Sequence, residues 1–314
     1  MPLDARAKRF LDTLAALNPP SALSLSAAER RAALEHLLSF SGHAEAVAAV
    51  ENRKIPGAGG SLALRLYTPA GAVSGGVLPG LTYFHGGGLV AGSLDTHDPI
   101  CRSLANASGC RVVSVDYRLG PENRFPAAVE DGCAAAAWIA SHARELDLDP
   151  QRLGVCGDSA GATLAAVVCQ TAPRSHQVSF ALQLLLCPIM DFAAESDSRR
   201  TLAQGYLVDR DTLEHDLRHY LSPDADPADP RISPLRAVDL ASMPPTIIHT
   251  AEFDPLRDEG RAYAERLEAL GVRTIYRCHP GMIHLFYGMR GLIPYASTAF
   301  AQMGADIRSL LEAA

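Results

Sequence analysis

A serine between two glycines, in Gly157-Asp158-Ser159-Ala160-Gly161, is the stretch of this 314-residue chain best suited to covalent chemistry. A serine hydroxyl becomes a useful nucleophile only when a base takes its proton and a third group orients that base. The pattern alone is weak. With 25 Gly and 22 Ser, chance would supply one Gly-x-Ser-x-Gly in roughly one such chain in seven. Its setting strengthens it: the apolar run "RLGVCG" leads in and the small-residue stretch "ATLAAVVCQ" leads out. A strand–turn–helix of that kind projects the serine off the strand end, at the positive end of a helix. The bland alternative is a serine that only caps the helix. A second signal is "YFHGGGLVAG", Tyr83 to Gly92, again after an apolar run. His-Gly-Gly-Gly is expected by chance in only about one chain in two hundred of this composition. Bare backbone N–H groups there could stabilise the oxyanion that acyl transfer develops. A phosphate loop fits poorly, because neither Lys-Ser/Thr nor Gly-x-Gly-x-x-Gly spacing follows.

These residues need elements to hold them. Short apolar runs, "LTYF", "RVVSVDY", "RLGVCG", "FALQLLLCPI", "PTIIHTAE" and "RTIYRCH", alternate with helical stretches such as Pro126 to Leu146 and Arg257 to Leu270. Runs apolar nearly throughout read as parallel strands covered on both faces, so the chain reads as α/β with a doubly wound sheet. Before them, "AVENRKI" and "SLALRLYTP" flank "PGAGG" as a hairpin. Residues 1–45 read as two helices. Phe10, Leu11, Leu14 and Leu17 share one face of the first, while Ser26 and Glu29 form a capping box on the second. The polar segment 191–242, with one helix around Asp211 to Leu221, fits the α/β rhythm least. It is expected to lie over an edge of the sheet. The division is thus a helical segment at 1–45, an α/β domain at 46–314, and a second covering segment within 191–242.

A base and an acid should follow the serine, the acid first. Of the six later histidines, His176, His215 and His219 come too early, and His249 sits inside "TIIHTAE" as a core residue. His279 closes the last strand. His284 lies in the loop beyond it, and a loop can bring its ring over the serine. Among Glu252, Asp254, Asp258 and Glu259, Asp254 stands at a strand end before Pro255 and a helix. Its bland reading is an N-cap before proline.

Composition narrows the classes. The chain is 48% hydrophobic and 20% charged with net charge −7, and no Lys or Arg cluster points to nucleic acid. No run approaches a membrane span, so stable membrane insertion is not expected. Seven scattered cysteines without a CxxC read as thiols in a reducing compartment, hence cytoplasmic. His215 and His219 are i, i+4 but lack the Glu of a zinc motif, so no metal or other cofactor is expected.

His85-Gly86-Gly87-Gly88, GDSAG, "DPLRDEG" and the late His284 closely resemble the hormone-sensitive-lipase family of α/β-hydrolases, the bacterial family IV esterases. "GSLDTHD" and "DYRLGPENRFPAAVED" add to the likeness, which runs from about residue 60 onward. It implies an α/β-hydrolase fold of about eight mostly parallel strands and a serine carboxylesterase for short- to medium-chain esters. An amidase, a long-chain lipase and a non-catalytic binding protein are the alternatives. It also implies Ser159 as nucleophile, His284 as general base and acid, and Asp254 as the orienting carboxylate. The amides of Gly86, Gly87 and Ala160 would form the oxyanion hole, and His85 would support their loop. Leu89, Asp158 and Tyr206 are expected at the substrate pocket, Leu89 standing where an aromatic is frequent. The partner is a small-molecule ester, and the resemblance allows a homodimer.

Overall fold

The computed structural model describes residues 1–73 and 75–312, with Arg174 described in its backbone only. In chain order the elements are α1 (Ala5–Ala16), α2 (Ala27–Leu38), β1 (Ala49–Gly57), β2 (Gly60–Thr68), β3 (Leu78–Phe84), α3 (Asp98–Ser108), β4 (Arg111–Val115), α4 (Ala127–Ser141), β5 (Leu148–Asp158) and α5 (Ala160–His176). Then follow β6 (Leu182–Leu186), α6 (Asp197–Thr201), α7 (Arg210–Tyr220), β7 (Thr246–Phe253), α8 (Arg257–Ala269), β8 (Thr274–Ile283) and α9 (Tyr295–Leu311).

The eight strands form one sheet in the order β1-β2-β4-β3-β5-β6-β7-β8. The hairpin β1/β2 is antiparallel, β2 runs antiparallel to β4, and every other pair is parallel. The apolar runs fit this because alternate side chains enter opposite cores. On β5, Val155 belongs to the core shared with α4, α5 and α8, whereas its neighbour Cys156 belongs to the core shared with α3 and α9. All six strand runs and the hairpin expected from periodicity are present. A parallel sheet puts its strand ends on one rim, so Asp158 of β5, Phe253 of β7 and Ile283 of β8 each hand the chain to a functional loop there.

Residues 1–45 supply α1 and α2, and Ser26 with Glu29 closes the expected capping box. Leu17 departs from the expected apolar face: it is the C-cap of α1 and 70% exposed, while Ala7 and Phe10 are buried. The segment 191–242 contains α6 and α7. The two segments touch each other, since Ser21 hydrogen-bonds Asp211 and Arg30 pairs with Asp216. Among the described residues no helix is long and apolar enough to cross a membrane.

Candidate active site

β5 ends at Asp158 and α5 begins at Ala160, so Ser159 alone makes the turn, at φ 53° and ψ −125°. A non-glycine residue in that region stores about 1–3 kcal/mol of backbone strain. The turn is held by the Ser159 N–H, which donates to the Leu186 carbonyl of β6 at 2.7 Å. Glycine flanks the serine because the end of β3 lies against the elbow. A Cβ on Gly161 would fall 2.1 Å from the Phe84 carbonyl oxygen and 2.3 Å from that of His85.

His284 leaves the end of β8 and Asp254 leaves the end of β7. The Ser159 hydroxyl lies 3.1 Å from His284 Nε2, and His284 Nδ1 lies 2.8 Å from Asp254 Oδ2. A carboxylate only accepts, so Nδ1 carries the ring hydrogen and Nε2 is left to accept from the serine. Asp254 is fully buried, and its other oxygen accepts the Leu256 N–H at 2.9 Å. The competing acids are engaged elsewhere. Glu252 accepts from the chain amino terminus and Gly281, Asp258 from Ser198 and Arg257, and Glu259 from Met190, Asp191 and Arg199. His279 faces away, with its ring nitrogens on His249 (3.0 Å) and Tyr295 (3.2 Å). Burial and the neighbouring His249 push its pKa down to about 3.

The glycine run behaves differently from the expectation at one position. The Gly86 N–H donates to Asp158 Oδ1 at 2.8 Å and is therefore spent within the protein. The glycines that line the cavity around Ser159 are Gly87 and Gly88. Ala160 opens α5, where the first N–H groups have no acceptor in the helix. Asp158 does more than line the pocket. Its carboxylate also accepts from Tyr83 at 2.5 Å and faces His97 at 3.5 Å. Burial raises its pKa, but His97 and Tyr83 outweigh burial and hold it below the ordinary carboxylate value. His85 stacks on Tyr117 at 4.4 Å, donates from Nδ1 to the Gly86 carbonyl at 2.8 Å, and is pushed by burial down to about pKa 3. Neutral and fully enclosed, it braces the loop.

The cavity above Ser159 has a volume of about 270 Å³. Leu25, Leu34 and Leu37 reach it from the first segment, Phe192, Leu207, Val208 and Leu213 from the second, and Ile189 from beside the sheet. Leu89 is not at its wall. With φ 63° the backbone turns there, and the side chain is 3% exposed in the core. Tyr206 stacks on Phe253 at 5.7 Å, and its neighbours Leu207 and Val208 take the lining positions. Sequence reasoning also passed over Arg30, Asp216, Phe192 and Cys187. The last is buried at the end of β6 with its Sγ within 4.8 Å of Asp254 and His284 donor atoms, and burial pushes its thiol pKa well up. Nothing local marks these four, because their partners are distant in sequence. The His215 and His219 rings lie tilted against each other at 4.1 Å, and His215 bonds Asp216 and the Leu25 carbonyl.

Comparison with known proteins places this geometry among relatives. Residues 81–288 match the model of a family described as alpha/beta hydrolase fold. The carboxylic ester hydrolase LipN of Mycobacterium tuberculosis is 42% identical over 246 residues, 76% of this chain and 65% of that protein. The arylesterase of Saccharolobus solfataricus is 34% identical over 92% of this chain and 93% of that protein. An ester hydrolase from the metagenome of Lake Arreo, solved with a derivative of bipyridine phosphonate, superposes with a TM-score of 0.94 at 39% identity, covering 98% of both chains.

Proposed function

The chain belongs to the α/β-hydrolase fold family, on its hormone-sensitive-lipase branch, and from that premise we propose that it is a serine carboxylesterase acting through an acyl-enzyme. The observation that carries this reading is the continuous relay Ser159–His284–Asp254, with bonds of 3.1 and 2.8 Å, at the floor of an apolar cavity. His284 Nε2 takes the Ser159 proton as Oγ attacks the ester carbonyl carbon. The carbonyl oxygen becomes an oxyanion received by the amides of Gly87, Gly88 and Ala160. Collapse expels the alcohol, which takes its proton from His284, and a water activated by the same ring then frees the acid. No cofactor enters any step.

The substrate is a small ester. A cavity of about 270 Å³ is just under the usual range for ligand pockets, roughly 300–1,000 Å³, and its Leu, Ile and Val walls suit a short- to medium-chain acyl or alcohol group. LipN and the arylesterase, named as ester hydrolases, support the reaction class. Residues 1–45 and the part of 191–242 around α7 act as a cap on a catalytic domain of 46–314. Six buried, unpaired cysteines suit the cytoplasm.

Ser159→Ala should abolish turnover of p-nitrophenyl butyrate, and an organophosphate should label Ser159 in the wild type. Activity retained by the variant, or label found on another residue, rejects the assignment.

A further inference from the structure

The last glycine of the run has a φ of +68°, and a Cβ on it would fall 1.9 Å from Asp216 Oδ2 and 2.3 Å from Asp216 Cγ. A carboxylate from α7 therefore rests directly on Gly88. Asp216 is 5% exposed and lines the same cavity as Ser159 and His284. A bare anion there would oppose the negative charge that the oxyanion loop receives.

The structure supplies the counter-charge from the other cap segment. Arg30 of α2 donates from Nε to Asp216 Oδ1 at 3.1 Å and from Nη2 to Oδ2 at 2.8 Å. Both side chains are nearly closed to solvent. His215 Nδ1 lies 2.9 Å from Asp216 Oδ1 and reaches that oxygen only, whereas the guanidinium spans both oxygens and carries its charge throughout. Arg30 is thus the permanent cation of the group. A bidentate pair also fixes the angle between the helices, which a point charge would not.

We propose that Arg30 is a positioning residue for catalysis: it holds Asp216 against Gly88 and cancels its charge, so that the cap can close on the oxyanion loop without a field that opposes the reaction. This rests on the reading of Gly87, Gly88 and Ala160 as oxyanion donors. It makes a signed prediction, because removing the two partners does not have the same effect. Arg30→Gln leaves an anion on the loop, whereas Asp216→Asn leaves a cation.

The test compares kcat and KM on p-nitrophenyl butyrate for the wild type, R30Q, D216N and R30Q/D216N, with thermal melts to establish folding. R30Q should lower kcat about tenfold or more, with KM changed by less than about threefold. D216N should lose clearly less, and the double variant should recover toward D216N. Equal losses in both single variants, a double variant no better than R30Q, or an unchanged kcat in R30Q would overturn the proposal. Should R30Q fail to fold, R30M and R30M/D216N, which also remove the charge, carry the same comparison, and equal kcat in those two overturns it. Organophosphate labelling of wild-type Ser159 checks the premise separately. Without label the esterase reading itself fails, whereas label with symmetrical variants removes only the role of Arg30.

Discussion

Replacing Asp254 by Asn exchanges one oxygen for an NH₂ in a side chain with no solvent exposure. The carboxylate now accepts from His284 Nδ1 at 2.8 Å and from the Leu256 N–H at 2.9 Å. An amide can keep the Leu256 bond through its oxygen, and its NH₂ then faces Nδ1. The imidazole answers by moving its hydrogen to Nε2, the atom that must accept from Ser159. The imidazolium formed during reaction also loses its anion. Charges about 4 Å apart in a partly screened site attract by roughly 4 kcal/mol, which alone is about a thousandfold in rate. With the wrong tautomer added, the loss in kcat should approach ten-thousandfold, roughly. KM should barely move, because Asp254 touches His284 rather than substrate. Initial rates on p-nitrophenyl butyrate, with a thermal melt to show folding, measure this. Asp258→Asn serves as the control: Asp258 bonds Ser198 and Arg257 and does not reach the relay. A D254N enzyme retaining more than about a tenth of wild-type kcat, or D258N costing more than D254N, would refute the reasoning.

Acidity should destabilise the fold through two buried histidines, His85 and His279, whose pKa values burial lowers to about 3. Below about pH 6.5 the unfolded chain binds protons that these rings refuse, so stability falls as pH drops from 6.5 toward 3, by up to about 1.4 kcal/mol per pH unit for each ring. Urea melts at pH 7 and 5 should show this, with His279→Gln flattening the slope; a flat wild-type profile contradicts it. A second cavity of about 260 Å³ shares Phe192 and Leu213 with the first. Phe192→Ala should join the two and raise kcat/KM for p-nitrophenyl octanoate relative to butyrate roughly tenfold, at about 0.8 kcal/mol for each of about two newly buried methylenes. An unchanged ratio means that Phe192 is not the partition. Cys278 is the one exposed thiol of seven, so a thiol reagent should react rapidly with one group in the native protein and with all seven in denaturant. A second fast native thiol would refute the packing around the sheet.

Some of this was decided by the chain alone, because it depends on neighbours in sequence. Apolar runs with turn residues between them dictate strands and helices locally, and the runs around Val155 and Ile248 appear where periodicity puts them. The glycines around Ser159 and after His85 announce close approach without naming what approaches. Ser159, Asp254 and His284 could be picked out because each follows a strand, and parallel strands end on one rim.

Where each backbone N–H and side chain ends up was decided only by tertiary packing. Gly86 looks like Gly87 in sequence, yet its N–H is taken by Asp158, 72 residues away. Leu89 sits beside the glycines but turns into the core at φ 63°. Arg30 and Asp216 are 186 residues apart, and no spacing relates them. Three glycines thus meet three different neighbours: the Asp158 carboxylate at Gly86, the Ala91 carbonyl at Gly87 and the Asp216 carboxylate at Gly88. Local sequence carries the need for a bare backbone at those positions. Which atom fills the space depends on how a strand, a loop and a cap helix pack together, and that is a property of the assembled fold.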